Sequence, residues 1–254
     1  MNSIGLITLI QKEVGRFMSV YLQTIIAPII TSLLFFCVFA LAFGGANRSV
    51  AIDMPYLEFL APGLIMMTMV QNAFANSSSS IIIAKIQGNI VDILMPPLSS
   101  TEIFVGYVVG GILRGIVIGV GATFILSFFV SMPLQNISVI IAFAILGTTM
   151  LSSLGVVGGM WAEKFDHIAA ITNFLVTPLT FLSGTFYSIK QLPDMWEGLA
   201  YFNPFFYMID GFRSGFIGYA ETDIATGLIV LTVTNIILLG FGLALLHSGY
   251  KIKS

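Results

Sequence analysis

The sequence predicts an all-α polytopic membrane protein with six transmembrane helices. Three observations predict it. Apolar runs long enough to cross a bilayer recur along the chain. The hydrophobic fraction is 57% and the charged fraction 9%, whereas soluble domains are about one quarter charged. Charges and prolines gather in the short stretches between the runs. The formal net charge of −2 argues against a nucleic-acid partner and against a polybasic membrane-surface protein. Cys37 is the single cysteine and lies inside an apolar run, so no disulfide can form within the chain and packing is its expected role.

Residues 1–254 read as one transmembrane domain. Residues 1–20 come first. Ile7, Ile10, Val14 and Phe17 recur at helical spacing, with Gln11, Lys12, Glu13 and Arg16 off that stripe. Such a helix is expected to lie in the plane of the membrane interface. The spans follow at Tyr21–Gly44, Tyr56–Ala84, Ile103–Met132, Ile137–Trp161, Ile168–Tyr187 and Ile224–His247. The "ALA" at 40–42 mimics a signal cleavage site. The apolar run before it exceeds a signal core of about 7–15 residues, so it is expected to stay as the first span. With an even number of spans both termini share one side. That side holds Lys12, Arg16, Lys85, Lys164, Lys251 and Lys253, against Arg48, Lys190 and Arg213 on the other. The excess of basic residues places both termini in the cytoplasm.

Between the second and third spans lies "AKIQGNIVDILMPPLSSTE", residues 84–102. Gln87 to Met95 reads as a short helix with Ile90, Ile93 and Leu94 on one side. Pro96 and Pro97 stop it, since proline cannot continue a helix and restricts the residue before it. Ser99 or Ser100 is placed to cap the next helix, with Glu102 in its first turn. Two readings fit: a plain solvated loop, or a rigid knob offered to a partner.

Polar residues inside the spans are few. Asn72, Asn76 and Ser79, beside Gln71, share one face of the second span. They line a conduit or hydrogen-bond to neighbouring helices. Gly111, Gly115 and Gly119 form a stripe at spacing four in the third span, Gly106 pairs with Gly110, and Gly155 with Gly159 in the fourth. Small residues at this spacing let helix backbones approach closely, within a chain or between chains. The third span is roughly 45 Å long at 1.5 Å per residue, so it tilts or projects. Arg114 within it is either a functional intramembrane charge or a side chain that snorkels to the headgroups.

No Asp or Glu falls in the middle of a span, Glu58 being near an outer end, and His167 and His247 lie at span edges. A proton-coupled carrier ordinarily uses such groups as relays. No H-E-x-x-H, G-x-S-x-G, Cys/His cluster or G-x-x-x-x-G-K-[ST] occurs. The chain is therefore read as a transport subunit and not an enzyme, without metal, catalytic residue or bound cofactor. Any ATP is handled by another chain.

After the fifth span, residues 181–218 stay aromatic while Pro193, Pro204 and the charges forbid a clean span. Short helices dipping into the outer leaflet are expected for 188–218, with aromatic residues at headgroup level. Here "TPLTFLSGTFYSIKQLP" and "NPFFYMIDGFRSGF" resemble the signature of the type-2 ABC transporter permeases, and among them the small stand-alone YadH- and NodJ-like bacterial exporter permeases. "YLEFLAPGLIMM", "DILMPPLSS" and "VGYVVGG" extend the resemblance over nearly the whole chain. Ser188 stands where the family often has proline.

The resemblance implies a permease in the bacterial inner (cytoplasmic) membrane that pairs with a second copy and with two ABC ATPase subunits. ATP and Mg would sit on those subunits. The loop 85–102 would carry a coupling helix for the ATPase, with Gln87, Ile90, Val91, Asp92, Ile93, Leu94 and Pro96 joined by Lys12 and Arg16. Residues 188–218 would be re-entrant half-helices, with an outer gate of Ser183, Gly184, Phe186, Tyr187, Pro193, Pro204 and Arg213. Candidate path-lining residues are Gln71, Asn72, Asn76, Ser79 and Arg114, for an amphipathic lipid-linked or drug-like substrate. The alternatives are a secondary carrier or channel without an ATPase, and a membrane scaffold that only docks a partner.

Overall fold

The computed structural model describes residues 2–43, 49–50 and 54–250, with the backbone alone at 49, 50, 93 and 94. Arg48, Lys251 and Lys253, which entered the orientation argument, and Gly44 lie outside the described residues. Helix α1 covers Ser3–Ser19. A π-turn at Leu22–Ile26 leads into α2, Ala27–Phe43, and a two-residue hairpin of β1 (Ser49–Val50) and β2 (Met54–Pro55) follows. Next come α3 (Tyr56–Ile86), α4 (Ile90–Leu94), α5 (Ser100–Leu126) and α6 (Ile137–Trp161). Helix α7 (Phe165–Ile171) continues through a second π-turn, Thr172–Val176, into α8 (Thr177–Phe181). A 3-10 turn at Ile189–Gln191 precedes α9 (Asp194–Phe202), α10 (Pro204–Ile217) and α11 (Ile224–Ser248).

Side-chain caps start five of the helices, α1, α5, α6, α10 and α11, because they satisfy the first free N–H groups. Asn2 accepts from Gly5 N at 3.0 Å, Asn136 from Val139 N at 3.2 Å, and Asn203 from Phe205 N at 3.0 Å, with Pro204 opening α10. Glycines in the left-handed region close α10 at Gly218 (φ 71°) and α11 at Gly249 (φ 69°).

Among the described residues five helices are long and apolar enough to cross a membrane: Leu22–Phe43, Tyr56–Ile86, Ser100–Leu126, Ile137–Trp161 and Ile224–Ser248. The expected third span, Ile103–Met132, shifts toward its N-terminal side, because its cap is Ser99 and turns begin at Ser127, ahead of Pro133. The expected span Ile168–Tyr187 differs more. Helix α7, the π-turn and α8, of seven, five and five residues, run on for roughly 25 Å at 1.5 Å per residue. That falls short of a hydrocarbon core of about 30 Å. The chain then turns at Leu182–Tyr187, around Gly184 at φ 70°. Both π-turns precede a proline, Pro28 or Pro178, whose missing N–H removes a rung from the helical ladder.

Helix α3 is the central post, packed on α5, α6, α10 and α2. The glycine seams are spent on these contacts within the chain. A Cβ on Gly111 would sit 2.3 Å from Ser152 Oγ and 2.6 Å from Ser77 Oγ. On Gly115 it would meet the Met69 carbonyl at 3.0 Å, and on Gly155 the Phe74 carbonyl at 2.6 Å. The outward faces of α2 and α11 are apolar and open, with Leu34, Val38 and Leu41 at 59, 60 and 87% exposure and Ile236 and Ile237 both at 64%. A belt of that kind suits hydrocarbon and not water.

Gly111→Val is therefore expected to overpack the α3–α5–α6 contact and to lower thermal stability in detergent by about 1–3 kcal/mol. Gly240→Val, on α11 with nothing within 4 Å of its would-be Cβ, should leave the unfolding midpoint unmoved. Equal midpoints for the two variants would contradict this packing.

Candidate functional site

The sequence-predicted coupling and outer-gate residues lie at opposite ends of the bundle. At one, α3 stops where Gly88 takes φ 76°, so the expected helix Gln87–Met95 contracts to Ile90–Leu94 behind a turn at Gln87–Asn89. Val91, Asp92, Met95 and Pro96 are exposed, as is Gln87, and Ile90 is half-buried against the apolar cluster of α3, α5 and α6. The side chains of Ile93 and Leu94 lie outside the described set. Beyond the prolines the loop is fixed firmly. Leu98 N donates to Pro96 O at 2.6 Å. Ser99 and Glu102 form a full capping box, with Ser99 N 2.7 Å from Glu102 Oε2 and Glu102 N 3.3 Å from Ser99 Oγ. The other carboxylate oxygen of Glu102 accepts from the backbone N–H of Asn2. The start of α1 is thus tied to the start of α5.

Helix α1 corrects the sequence reading. The residues it buries are Leu9, Glu13 and Phe17, while Ile7 stays 54% exposed and Ile4 78%. Leu9 and Glu13 lie over Gly106 and Gly110 of α5, whose hypothetical Cβ atoms would stand 2.5 and 2.7 Å from them. The helix therefore has a protein face as well as an apolar face. Glu13 is wholly buried and pairs with Arg16 at 3.1 Å; Ser80 donates to its Oε1 at 2.7 Å. Arg16 is turned inward. Its Nη2 donates to Asn76 O at 2.8 Å and Asn76 Oδ1 at 2.9 Å, and its Nη1 reaches Ser79 Oγ at 3.4 Å. Lys12 is exposed on the wall of an open groove of about 490 Å³ between α1, the end of α3 and the loop, shared with Gln87, Asn89, Asp92 and Pro96.

One turn along α3, Arg114 grips the preceding asparagine. Its Nη2 donates to Asn72 Oδ1 at 2.9 Å and its Nε to Thr24 O at 3.3 Å. The Thr24 carbonyl is available because Pro28 lacks the N–H that would meet it four residues on. Arg114 is 8% exposed, so it neither snorkels nor floats; it is the hydrogen-bond donor the broken first span requires. Of the path-lining candidates, Asn76 is wholly buried beneath α1, Asn72 and Ser79 are half-buried and held by arginines, and Gln71 is half-buried.

At the far end, α10 is buried along almost its whole length. Arg213, 1% exposed, lies 3.6 Å over the Phe59 ring and donates to the Gly184 carbonyl at 2.6 Å. Gly63 leaves room for this, since a Cβ there would come 2.9 Å from Thr185 O and 3.0 Å from the guanidinium. Phe186 stacks between Phe39 and Phe181, and Tyr56 Oη donates to its carbonyl at 3.0 Å. Ser183 donates to the Thr180 carbonyl and Tyr187 Oη to Phe181 O at 3.2 Å. Pro193 and Pro204 open α9 and α10. Asp210 accepts from Glu221 N, Thr222 N and Thr222 Oγ1, each at 3.0 Å. Glu221 in turn accepts from Ile189 N at 3.1 Å. Burial raises the Glu221 carboxyl above its usual range, against the opposing pull of Arg213. Sequence reasoning missed Glu13, Thr24, Asp210 and Glu221. The acid three residues before an arginine, Glu13–Arg16 and Asp210–Arg213, was the readable sign for two of them.

These features define a helical membrane protein with a tethered surface loop at one end and a cap of short helices at the other. The family model for the ABC-2 type transporter matches residues 5–217, and the chain belongs to that family. It is 42% identical over 224 residues to the inner membrane transport permease YadH of Escherichia coli K12, covering 87% of this chain and 86% of that protein. It is 24% identical over 181 residues to nodulation protein J of Sinorhizobium fredii, covering 69 and 68%. With nodulation protein J of Rhizobium leguminosarum bv. trifolii it shares 30% over 92 residues, 35% of each chain.

Replacing Arg16 by Gln strands the buried Glu13 carboxylate and should cost about 3–5 kcal/mol. The double variant Glu13→Gln/Arg16→Gln should lose clearly less, as judged by thermal unfolding in detergent. A double variant as unstable as the sum of its singles would deny the pairing.

Proposed function

We propose that the chain is the membrane-spanning permease subunit of an ATP-driven exporter in a bacterial inner membrane. Two copies pair, each served by an ABC ATPase subunit that binds ATP and Mg. Six spans put both termini in the cytoplasm, the run Phe165–Phe181 crossing as the short fifth one, with α9 and α10 re-entrant from the outer side. The ATPase engages the exposed loop around α4, including Gln87, Ile90, Val91, Asp92 and Pro96, with Lys12 beside it. Closure of the ATPase dimer on ATP moves that loop and rocks the two permease chains about their interface. Substrate, an amphipathic molecule, passes along the polar side of α3, and Ser183, Gly184, Phe186, Tyr187 and Arg213 with the two prolines control its exit.

The observation that carries this reading is the mechanical continuity behind α4. The loop is welded to α5 by the Ser99–Glu102 box and to α1 by Asn2, and α1 is clasped to the polar band of α3 by Glu13 and Arg16. A push on the loop therefore reaches the candidate path through hydrogen-bonded groups and not through a slack connector.

The test is co-purification. The tagged chain extracted gently from its native membrane should bring an ABC ATPase with it, identified by mass spectrometry. Val91→Asp/Met95→Asp, at two exposed positions of the loop, should lose the ATPase while keeping its own thermal stability. Asn72→Ala should keep the ATPase and reduce export. An ATPase absent from every preparation would instead favour a carrier driven by an ion gradient.

A further inference from the structure

Arg114 carries a charge that the chain does not neutralise. Its hydrogen-bond acceptors are a carbonyl and an amide, both neutral, and no carboxylate pairs with it among the described residues. The charged group that acts on it through space is a second cation, Arg16. A guanidinium at bilayer depth without a counter-charge is costly, and intramembrane cations held by carbonyls mark substrate and ion pathways or the counter-ions of ligands.

Beside it lies an opening. A furrow of about 280 Å³ runs between the first span and α3, from Gln23 to Phe35, roughly 18 Å at 1.5 Å per residue. Its wall includes Gln23, Thr31, Ser32, Thr68, Gln71 and Asn72. Gln23 and Gln71 find no hydrogen-bond partner for their amides among the described residues, although lipid offers none either. Arg114 also fixes the sense of Asn72. The amide oxygen faces the guanidinium, so the NH₂ group faces the furrow wall, where one N–H reaches Thr68 O at 2.9 Å. The second N–H, polarised by the cation behind it, remains for an occupant. The apolar end of the furrow is formed by Phe35, Leu64 and Met67.

We propose that this furrow binds an anionic amphiphile: its phosphate-type headgroup takes N–H donors from Asn72, Gln71 and Gln23 under the field of Arg114, and its chain lies along Phe35, Leu64 and Met67. This deepens the transport reading by giving the substrate, or a lipid resident on its route, a charge sign. The anion supplies the counter-charge, and the amides supply the hydrogen bonds that water gives it elsewhere.

The experiment uses the purified full chain in a neutral maltoside detergent, with dodecyl phosphate and zwitterionic dodecylphosphocholine as probes. The parent should bind dodecyl phosphate about ten-fold more tightly, the scale of one charge-assisted hydrogen bond. Arg114→Lys should keep that preference. Gln71→Glu, which sets a negative charge on the furrow wall without removing any hydrogen bond the chain makes, should erase it, as should Arg114→Gln. Equal affinity for the two probes in the parent, or a preference untouched by Gln71→Glu, overturns the proposal even if Arg114→Gln does not fold. Native mass spectrometry separates the sources. A phosphatidylglycerol retained by the parent, displaced by dodecyl phosphate and missing from Gln71→Glu marks a resident lipid; dodecyl phosphate bound with no retained lipid marks an exchanging solute. Binding is read on this chain alone, so absence of a co-purifying ATPase would sink the exporter reading and leave this result intact.

Discussion

Two guanidinium groups approach α3 from different neighbours and hold asparagines one helical turn apart, Arg16 on Asn76 and Arg114 on Asn72. Neither contact is local in sequence. The first fastens α1, the second fastens the broken start of the first span, and both use the polar band of α3 as anchor. In hydrocarbon such groups have no water to fall back on, so each must be met within the protein or by something bound to it. The placement of α1, the survival of the proline-interrupted first span and the polarity of the furrow all follow from that demand.

The glycine seams obey a second demand, room. Helix α3 touches α5 and α6 closely enough that serine hydroxyls at 77 and 152 stand 2.5 Å apart and share a hydrogen bond. With side chains at 111 and 115 these helices would have to separate, and the two serines would lose each other as partners. Polar satisfaction and close packing are here one arrangement described twice. The cap end shows the same economy, with Gly63 yielding space to Arg213 and the Thr185 backbone.

Much of the fold was legible because the bilayer imposes length and composition on a span. The fourth span was read to the residue, Ile137–Trp161. Its ends carry strong signals, Asn136 as cap and the charged "AEKFDH" after it. The run around Pro178 was not delimited well, since apolar residues continue past the point where the Gly184 turn ends the helix. The start of α5 was legible in "SSTE" as a serine cap, Ser99 or Ser100, with Glu102 in the first turn, and the structure settles it as a Ser99–Glu102 capping box. The tethering of Asn2 to Glu102 was not, because no periodicity links positions a hundred residues apart. The α1 stripe was read as the side that meets the membrane, and the second, protein-facing side was missed for a physical reason. Hydrophobicity marks the face that meets lipid as readily as the face that meets protein, and the buried protein face here contains a charged residue, Glu13. Arg114 stood out from the sequence at once, but its partners, the Asn72 amide and a backbone carbonyl beside Pro28, come into reach only after the helices are assembled.

The trio of Gly111, Ser77 and Ser152 occupies one small volume drawn from three helices. Its members are not free to drift singly over evolutionary time. A methyl gained at position 111 needs space given up at 77 or 152, and a hydroxyl lost at one serine leaves the other with its carbonyl alone, Tyr107 O for Ser77 or Val108 O for Ser152. Lineages descending from this architecture should carry linked changes at these positions, written far apart in the gene, as the inherited trace of helices that meet without a gap.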